Sequence, residues 1–312
     1  MGGLESNMYH YTAYNLKIHS VVPLPELAPD SASSADVVIQ WGSVERTTAE
    51  RDLGSYRFHS TLGEVYFVWE QLGAFLVRNG EEIIVEPLAG DQPHLRLPIL
   101  GMALALVLHQ RGFLVLHASA IAIKESGIAF LGRRGRGKST LAATLYARGH
   151  NLIADDLVAL DLSSPHPRIM PGIPQLKLWP EAAVASLGDD PAHLPRLVSG
   201  YEKRARCAAT QFAQQSLPLS GLYLLAENQV PQLTLLRPQE AIVQLIDNSY
   251  IARVAQPLLQ GEAAALHLRQ CGSLIQQVPV YRLDRPRLLP LLPAVARLVE
   301  AQAAQDSSCT KV

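Results

Sequence analysis

The stretch Gly127-Ile-Ala-Phe-Leu-Gly-Arg-Arg-Gly-Arg-Gly-Lys138-Ser139 joins a short apolar run to a glycine-rich turn and then to a helix-forming segment. Residues 132–139 satisfy the pattern G-x-x-x-x-G-K-[ST], in which backbone N–H groups of the turn surround a phosphate. The apolar run predicts a strand, and Ser139 to Arg148, ended by Gly149, predicts a helix. A helix N-terminus adds unpaired N–H groups and partial positive charge. The stretch therefore predicts a nucleotide-binding P-loop in an α/β core.

The predicted nucleotide-binding residues are Gly132, Arg133, Arg134, Gly135, Arg136, Gly137, Lys138, Ser139 and Thr140. Glycines allow positive φ and a close approach of the backbone to phosphate oxygens. We expect Lys138 to bridge the terminal phosphates and the Ser139 hydroxyl to ligate Mg²⁺. The three loop arginines either stay solvated or add bidentate contacts to phosphates of the nucleotide or to an acidic acceptor. A chance glycine-rich turn is disfavoured by the flanking strand and helix.

Asp155 and Asp156 follow the apolar strand Asn151-Leu-Ile-Ala. They are expected at the carboxyl end of that strand, where ligands bind in open α/β sheets. Adjacent side chains on an extended segment point to opposite sides, so the two carboxylates predict separate tasks. One would hold Mg²⁺ and the other would accept a proton from an attacking hydroxyl. We predict both as catalytic, with Ser139 and Asp156 as metal ligands, although the two roles are interchangeable at this level. A solvated turn is the alternative.

His117 lies in the apolar segment Leu114-Val-Leu-His-Ala, which predicts a strand beside that of the P-loop. It is a predicted catalytic residue because it can change charge near neutral pH. A hydrogen-bonded core histidine is the alternative. Lys203 and Arg204 form a second basic cluster, and Trp179 is either a stacking platform or a structural aromatic.

The composition is that of an ordinary globular protein, with 312 residues, 48% hydrophobic residues and a formal net charge of −1. A net charge near zero means that the protein as a whole does not attract polyanions, so we expect no nucleic-acid or membrane partner. Three scattered cysteines form neither a disulfide framework nor a metal-binding spacing. The first residues lack the pattern of a signal peptide, and the apolar stretch Leu97–Leu108 is too short to span a bilayer. These features predict a cytoplasmic protein.

The chain is expected to have a β-rich N-terminal region (residues 1–95), a P-loop kinase domain (96–304) and a disordered tail (305–312). A buried helix is predicted at Leu97–Arg111, followed by the strand Phe113–Ala118, and a final helix at Leu289–Ala304. The strands predicted in the first region are Asp36–Trp41, Val65–Trp69, Gly73–Arg78 and Glu82–Glu86.

The order of His117, the loop 132–139, Arg148-Gly-His150 and Asp155-Asp156 resembles the catalytic domain of HPr kinase/phosphorylase. The resemblance is specific over residues 113–160. It implies a P-loop core of the HPr kinase and phosphoenolpyruvate carboxykinase type, ATP and Mg²⁺ as cofactors, and self-association into a homo-oligomer. It also implies phosphorylation of a serine in a peptide or small protein.

The chain departs from that family at several positions. Arg134 stands where the family has a small hydroxyl residue, and Thr140 replaces its usual acid. The segment Pro171–Pro180 stands in place of the Arg-Gly-Leu-Gly stretch associated with the phosphorolytic reverse reaction. Together with Asn15–Leu27, these features look more like the HPr-kinase homologues of lasso-peptide biosynthetic clusters, which phosphorylate a precursor peptide. The resemblance therefore implies a peptide kinase rather than an enzyme acting on HPr.

Two other functions are compatible with the same residues. One is a non-catalytic ATP-binding regulatory module, which would bind nucleotide without phosphoryl transfer. The other is a small-molecule kinase. The sequence leaves open the choice between ATP and GTP and the identity of the acceptor.

Overall fold

The computed structural model describes residues 7–45, 51–52, 57–61, 63–88, 92–197 and 201–309. The chain divides into two compact units, residues 1–113 and 114–312. The division falls between Phe113 and Leu114, whereas the sequence placed it after residue 95. The helical segment before this point therefore belongs to the first unit.

The described residues of the first unit form a nine-stranded, mostly antiparallel sheet with the strand order β3-β1-β2-β4-β9-β8-β7-β6-β5. Its strands are β1 (Tyr9–Ala13), β2 (Leu16–Ser20), β3 (Ala28–Pro29), β4 (Val37–Trp41), β5 (Arg51–Asp52), β6 (Arg57–Thr61), β7 (Glu64–Trp69), β8 (Gly73–Arg78) and β9 (Glu82–Pro87). The four strands predicted from the sequence correspond to β4, β7, β8 and β9. Between β8 and β9, Asn79 and Gly80 both have positive φ, as this pair of turn-forming residues allows.

The predicted buried helix is present but is not uniform. It consists of α1 (Arg96–Pro98), a π-helical turn (Ile99–Ala103) and α2 (Leu104–Gln110). Leu104 to Leu108 are all buried, which explains the unbroken apolar run in the sequence. This run is a core helix, and no helix within the described ranges is long and apolar enough to cross a membrane.

The second unit contains strands β10–β20 and helices α3–α8. The strands are β10 (Leu114–Leu116), β11 (Ser119–Ile123), β12 (Ser126–Leu131), β13 (Asn151–Asp155), β14 (Val158–Asp161), β15 (Arg168–Ile169), β16 (Gln175–Leu178), β17 (Arg204–Cys207), β18 (Leu217–Glu227), β19 (Gln232–Leu235) and β20 (Val280–Arg285). The helices are α3 (Lys138–Ala147), α4 (Pro180–Leu187), α5 (Pro238–Asp247), α6 (Tyr250–Val254), α7 (Gly261–Gln277) and α8 (Leu292–Cys309). The last helix thus includes residues 305–309, which the sequence analysis assigned to a disordered tail. Residues 310–312 lie outside the described ranges.

The sheet that positions the site is mixed. Its order is β10-β14-β15-β18-β12-β11-β13, with β20 pairing β18 and β19 pairing β20. Strands β12, β18 and β20 are parallel, whereas β11 runs antiparallel between β12 and β13. Because two antiparallel steps restore the direction, β12 and β13 end at the same edge of the sheet. The loop after β12 and the aspartates at the end of β13 therefore lie at one edge.

Helices cover both faces of this sheet. Ile128 and Phe130 of β12 pack in a cluster with α3, α4 and α8. Ala129 and Leu131, which alternate with them, pack in a second cluster with α5 and α7. The result is a mixed α/β unit preceded by a β-rich N-terminal unit, and burial on both faces explains why β12 reads as a continuous apolar run.

The prediction that His117 lies within a strand beside the P-loop strand is wrong. Strand β10 ends at Leu116 and pairs with β14, whereas β11 begins at Ser119 and pairs with β12. His117 lies in the break between β10 and β11, where its backbone N–H donates to the carbonyl of Asn248. Because His117 belongs to neither strand, its backbone does not follow the hydrogen-bond pattern of the sheet. Its side chain contacts Asp156, directly after the end of β13.

Candidate functional site

The loop between β12 and α3 has three glycines at positive φ. The φ values are +143° at Gly132, +81° at Gly135 and +81° at Gly137, where a side chain would be strained. A Cβ at Gly137 would also lie 2.4 Å from a terminal guanidinium nitrogen of Arg285. A Cβ at Gly135 would meet nothing within 4 Å, so this part of the loop faces open space. Positive φ thus explains why glycine occupies all three positions of the motif. At Gly137 the neighbouring Arg285 also leaves no room for a side chain.

Side chains from distant segments hold the loop in place. The Gly132 N–H donates to Oδ1 of Asn248 (2.9 Å), and the Asn248 amide nitrogen donates to the Gln244 carbonyl of α5 (2.8 Å). The buried guanidinium of Arg285 donates to the carbonyl of Arg136. None of these contacts could be read from the motif itself, because the partners follow it by more than a hundred residues.

Lys138 is the first residue of α3, and only 7% of it is exposed. Its Nζ donates to the Gly132 carbonyl (2.8 Å), which folds the side chain back over the loop. Burial lowers the pKa of Lys138 to about 8, although Asp155 and Asp156 raise it in part. Lys138 is therefore a buried cation at the loop, a suitable counter-charge for an anion.

Asp155, the last residue of β13, is buried, and both of its carboxylate oxygens accept hydrogen bonds. Its Oδ1 accepts hydrogen bonds from the hydroxyls of Ser119 (2.6 Å) and Ser139 (2.8 Å). Its Oδ2 accepts from the backbone N–H of Lys177 (2.8 Å). The structure therefore brings together Ser139 of the loop and Asp155 of the aspartate pair.

Asp156 points to a different set of groups, although it lies after the end of β13 and does not continue the extended segment on which the prediction relied. It has φ +76°, an uncommon value for a residue with a side chain, and its side chain is 39% exposed. Its carboxylate lies 3.2 Å from Nζ of Lys177 and 3.3 Å from Nδ1 of His117. Burial raises the pKa of Asp156, but the charges of Lys177 and His117 and the Lys177 hydrogen bond outweigh it, and the net pKa falls well below its usual range. Asp156 is an ionised carboxylate at neutral pH.

His117 contacts Asp156 twice. Besides the carboxylate, its Nδ1 lies 3.1 Å from the Asp156 carbonyl oxygen. Both neighbours are acceptors, so Nδ1 carries the proton. Burial is the main cause that lowers the pKa of His117 to about 4, and the ring is neutral near pH 7. His117 is thus a neutral donor that fixes Asp156.

Lys177 is a site residue that the sequence analysis missed. It lies on β16, its backbone contacts Asp155 and its ammonium contacts Asp156. Its side chain is 13% exposed. Lys177 belongs to no motif, and only the packing of β16 near β13 brings it to the aspartates. The only sequence signal is its place in the segment that departs from the resembling family.

The remaining predicted loop residues surround this centre. Arg134 donates to the hydroxyl of Tyr201 (2.6 Å), whose ring lies 5.9 Å from that of Trp179. Arg136 forms an ion pair with Glu227 (2.8 Å). Both loop arginines thus have protein partners.

Arg133 is exposed, and Thr140 lies in the first turn of α3, where its carbonyl accepts from the Thr144 hydroxyl. Of the second basic cluster, Arg204 donates to the carbonyls of Pro191 and Glu202, while Lys203 contributes electrostatically at Lys138 and Asp156. The catalytic and binding roles of all these residues stay predictions.

The oxygen atoms at the loop suit Mg²⁺. Within the described part of the chain, no group of three or more His, Cys, Asp or Glu residues could hold a metal ion by itself. Ser139 and Asp155 present two oxygen atoms side by side, next to the glycine loop. Mg²⁺ prefers one or two protein oxygens together with phosphate and water, so these residues fit it.

Comparisons with known proteins add little to this description. No family model matches the chain, and no curated protein matches it. Among solved structures, the HPr(Ser) kinase/phosphatase from Coxiella burnetii is similar at 14% sequence identity, covering 61% of this chain and 97% of that chain, with a TM-score of 0.34. A likeness of this degree carries no argument, and the family resemblance stays a prediction.

Proposed function

We propose that the chain is an ATP-dependent kinase that transfers the γ-phosphoryl group to a serine hydroxyl of a peptide or small protein. One observation carries this proposal. Ser139 of the glycine loop donates to Asp155, Lys177 joins Asp155 to Asp156 beside His117, and both aspartates raise the pKa of the neighbouring Lys138. A module that only binds nucleotide has no need of a second carboxylate, held ionised and open to solvent, beside the loop.

The loop and its lysine would bind the phosphates of the donor. Loop N–H groups, the N-terminus of α3 and the buried ammonium of Lys138 all favour an anion at this place. Ser139 and Asp155 would hold Mg²⁺, which when bound neutralises charge on the phosphate oxygens. This assigns the metal to Asp155 rather than to Asp156, because only Asp155 is hydrogen-bonded to Ser139.

Asp156 would then act on the acceptor. Its exposed carboxylate can accept a hydrogen bond from the attacking serine hydroxyl and orient the oxygen toward the phosphorus. Its low pKa makes it a weak base, which suffices because phosphoryl transfer through a loose transition state needs little deprotonation of the nucleophile beforehand. His117 and Lys177 hold this carboxylate in position, and positioning is the main catalytic contribution.

For the acceptor, we infer a precursor peptide of the lasso type. This inference is supported by the sequence resemblance at Asn15–Leu27 and Pro171–Pro180.

Intact-mass spectrometry of synthetic serine peptides, including lasso-type precursor sequences, after incubation with the protein and Mg-ATP tests the function. We expect one phosphoryl adduct with wild type and none with Lys138→Ala. Asp156→Asn should keep nucleotide binding and lose about 10²–10⁴ in transfer rate. Asp161→Asn is the matched control, since the Asp161 carboxylate accepts from the nearby Ser163 N–H.

The outcomes separate the alternatives. Transfer by Asp156→Asn at the wild-type rate would remove Asp156 from its role. Tight ATP binding without transfer to any peptide would favour the regulatory module over the kinase.

A further inference from the structure

A cavity of about 960 Å³ lies beside the loop. It is lined by the loop, by the end of β18, by the last turn of α5 and by α6. The lining residues used below are Leu224, Leu225, Ala226, Gln244, Asp247 and Arg253. Its volume is in the range of pockets that hold small organic ligands.

The cavity adjoins both the loop and the segment of His117. Strand β12, which leads into the loop, has β18 as a neighbour, and Leu224 to Glu227 at the end of β18 line the cavity. Asn248, also in the lining, accepts from the backbone N–H of His117. The cavity is therefore next to the reacting groups.

The chemistry of the lining suits a nucleoside. Leu224, Leu225 and Ala226 provide an apolar wall for a flat base, while Gln244 and Asp247 offer hydrogen-bonding groups for base edges or ribose hydroxyls. Arg253 is exposed and has no ion-pair partner among the described residues, and a guanidinium plane can stack on an aromatic base.

A second anion is less well supported as the occupant. Of the arginines that line the cavity, Arg136 is paired with Glu227 and Arg282 with Asp284. Asp247 adds a further negative charge to the lining. The cavity is thus mixed in charge.

We propose that this cavity, which adjoins the glycine loop, binds the base and ribose of the phosphoryl donor. The proposal rests on the proposed function, since it requires phosphates at the loop. In this arrangement Gln244 lies beside the nucleoside, and the loop alone binds the triphosphate.

Calorimetric titration with Mg-ADP and with inorganic tripolyphosphate tests the proposal. Gln244→Trp places a large ring in the cavity. Val243→Trp is the matched control, because Val243 is the preceding residue of α5, is 52% exposed and is not part of the lining. We expect Gln244→Trp to weaken ADP binding at least about tenfold and to leave tripolyphosphate binding unchanged. Val243→Trp should change neither affinity.

Equal ADP affinity in wild type and Gln244→Trp would overturn the nucleoside site, while tripolyphosphate binding would still support the phosphate loop. Binding of neither ligand by wild type would overturn the proposed function and this proposal with it. Thermal unfolding of each variant checks the fold. If the tryptophan variant unfolds early, Gln244→Phe, which fills less space, should give a smaller loss of ADP affinity at unchanged tripolyphosphate affinity.

Discussion

Lys138 is kept charged in a buried position, and this has a cost in stability. Its pKa falls from the ordinary 10.5 to about 8, so the unfolded chain binds the proton more tightly than the folded protein does. We expect Lys138→Met to abolish nucleotide binding and yet to stabilise the free protein by about 1–3 kcal/mol at pH 7. Differential scanning calorimetry measures the change.

The sign of the pH dependence gives a second readout for this variant. Between pH 8 and 10.5 the folded protein binds fewer protons at Lys138 than the unfolded chain, so this residue makes stability rise with pH. Lys138→Met should remove that contribution. Lys17→Met, at an exposed position, is the control and should change stability by less than about 0.5 kcal/mol. A lower stability of Lys138→Met at pH 7 would contradict the buried-charge argument.

Lys177 positions Asp156 and holds its pKa low. Among the causes that lower this pKa, the charge of Lys177 is the largest. In Lys177→Met the pKa of Asp156 should rise, and the acid limb of the pH profile of kcat/KM should move to higher pH. Lys177→Arg should keep the limb near its wild-type position. An unchanged acid limb in Lys177→Met, measured from phosphoryl-transfer rates, would leave Lys177 with only a structural role.

At the scale of the elements, the loop between β12 and α3 contains two glycines that have the same backbone conformation but differ in the space around them. Gly135 and Gly137 share φ +81°, but only Gly137 faces a neighbour, the guanidinium of Arg285. Each change to alanine should cost about 1 kcal/mol for the left-handed backbone. Gly137→Ala should lose further stability and ADP affinity because it displaces Arg285 from the loop. Thermal unfolding and ADP titration of the two variants compare them directly, and equal losses would contradict the steric argument.

In this same segment, the local elements could be predicted from the sequence, but the contacts made by tertiary packing could not. The elements β12 and α3 and the order of the motif residues follow from local patterns, because apolar periodicity and a helix start depend on neighbours in sequence. The break at His117 does not, since β10 and β11 pair with different strands and only the assembled sheet separates them. Lys177 and Asn248 were missed for a related reason, as their place in the site depends on tertiary packing.

At the scale of the whole molecule, the predicted site residues that the structure brings together all belong to the second unit. A core change in the first unit should therefore be separable from nucleotide binding. Phe67 is fully buried in the first unit and stacks on Phe75 with ring centroids 4.9 Å apart. We expect Phe67→Ala to destabilise the first unit by about 3–5 kcal/mol and to leave ADP affinity unchanged. Calorimetry with and without ADP tests this, and a parallel loss of affinity would show that the two units are energetically coupled.

The bond between Gly132 and Asn248 joins positions 116 residues apart, and the contact between Arg136 and Arg285 joins positions 149 residues apart. During synthesis on the ribosome, the glycine motif leaves the exit tunnel well before the residues that hold it in shape. A nascent chain that ends before β18 carries the whole motif but lacks Asn248, Arg285 and the strand β18 beside the loop. Since long-range pairing of this kind forms late, capture of a nucleotide would mark the completion of the chain rather than its beginning.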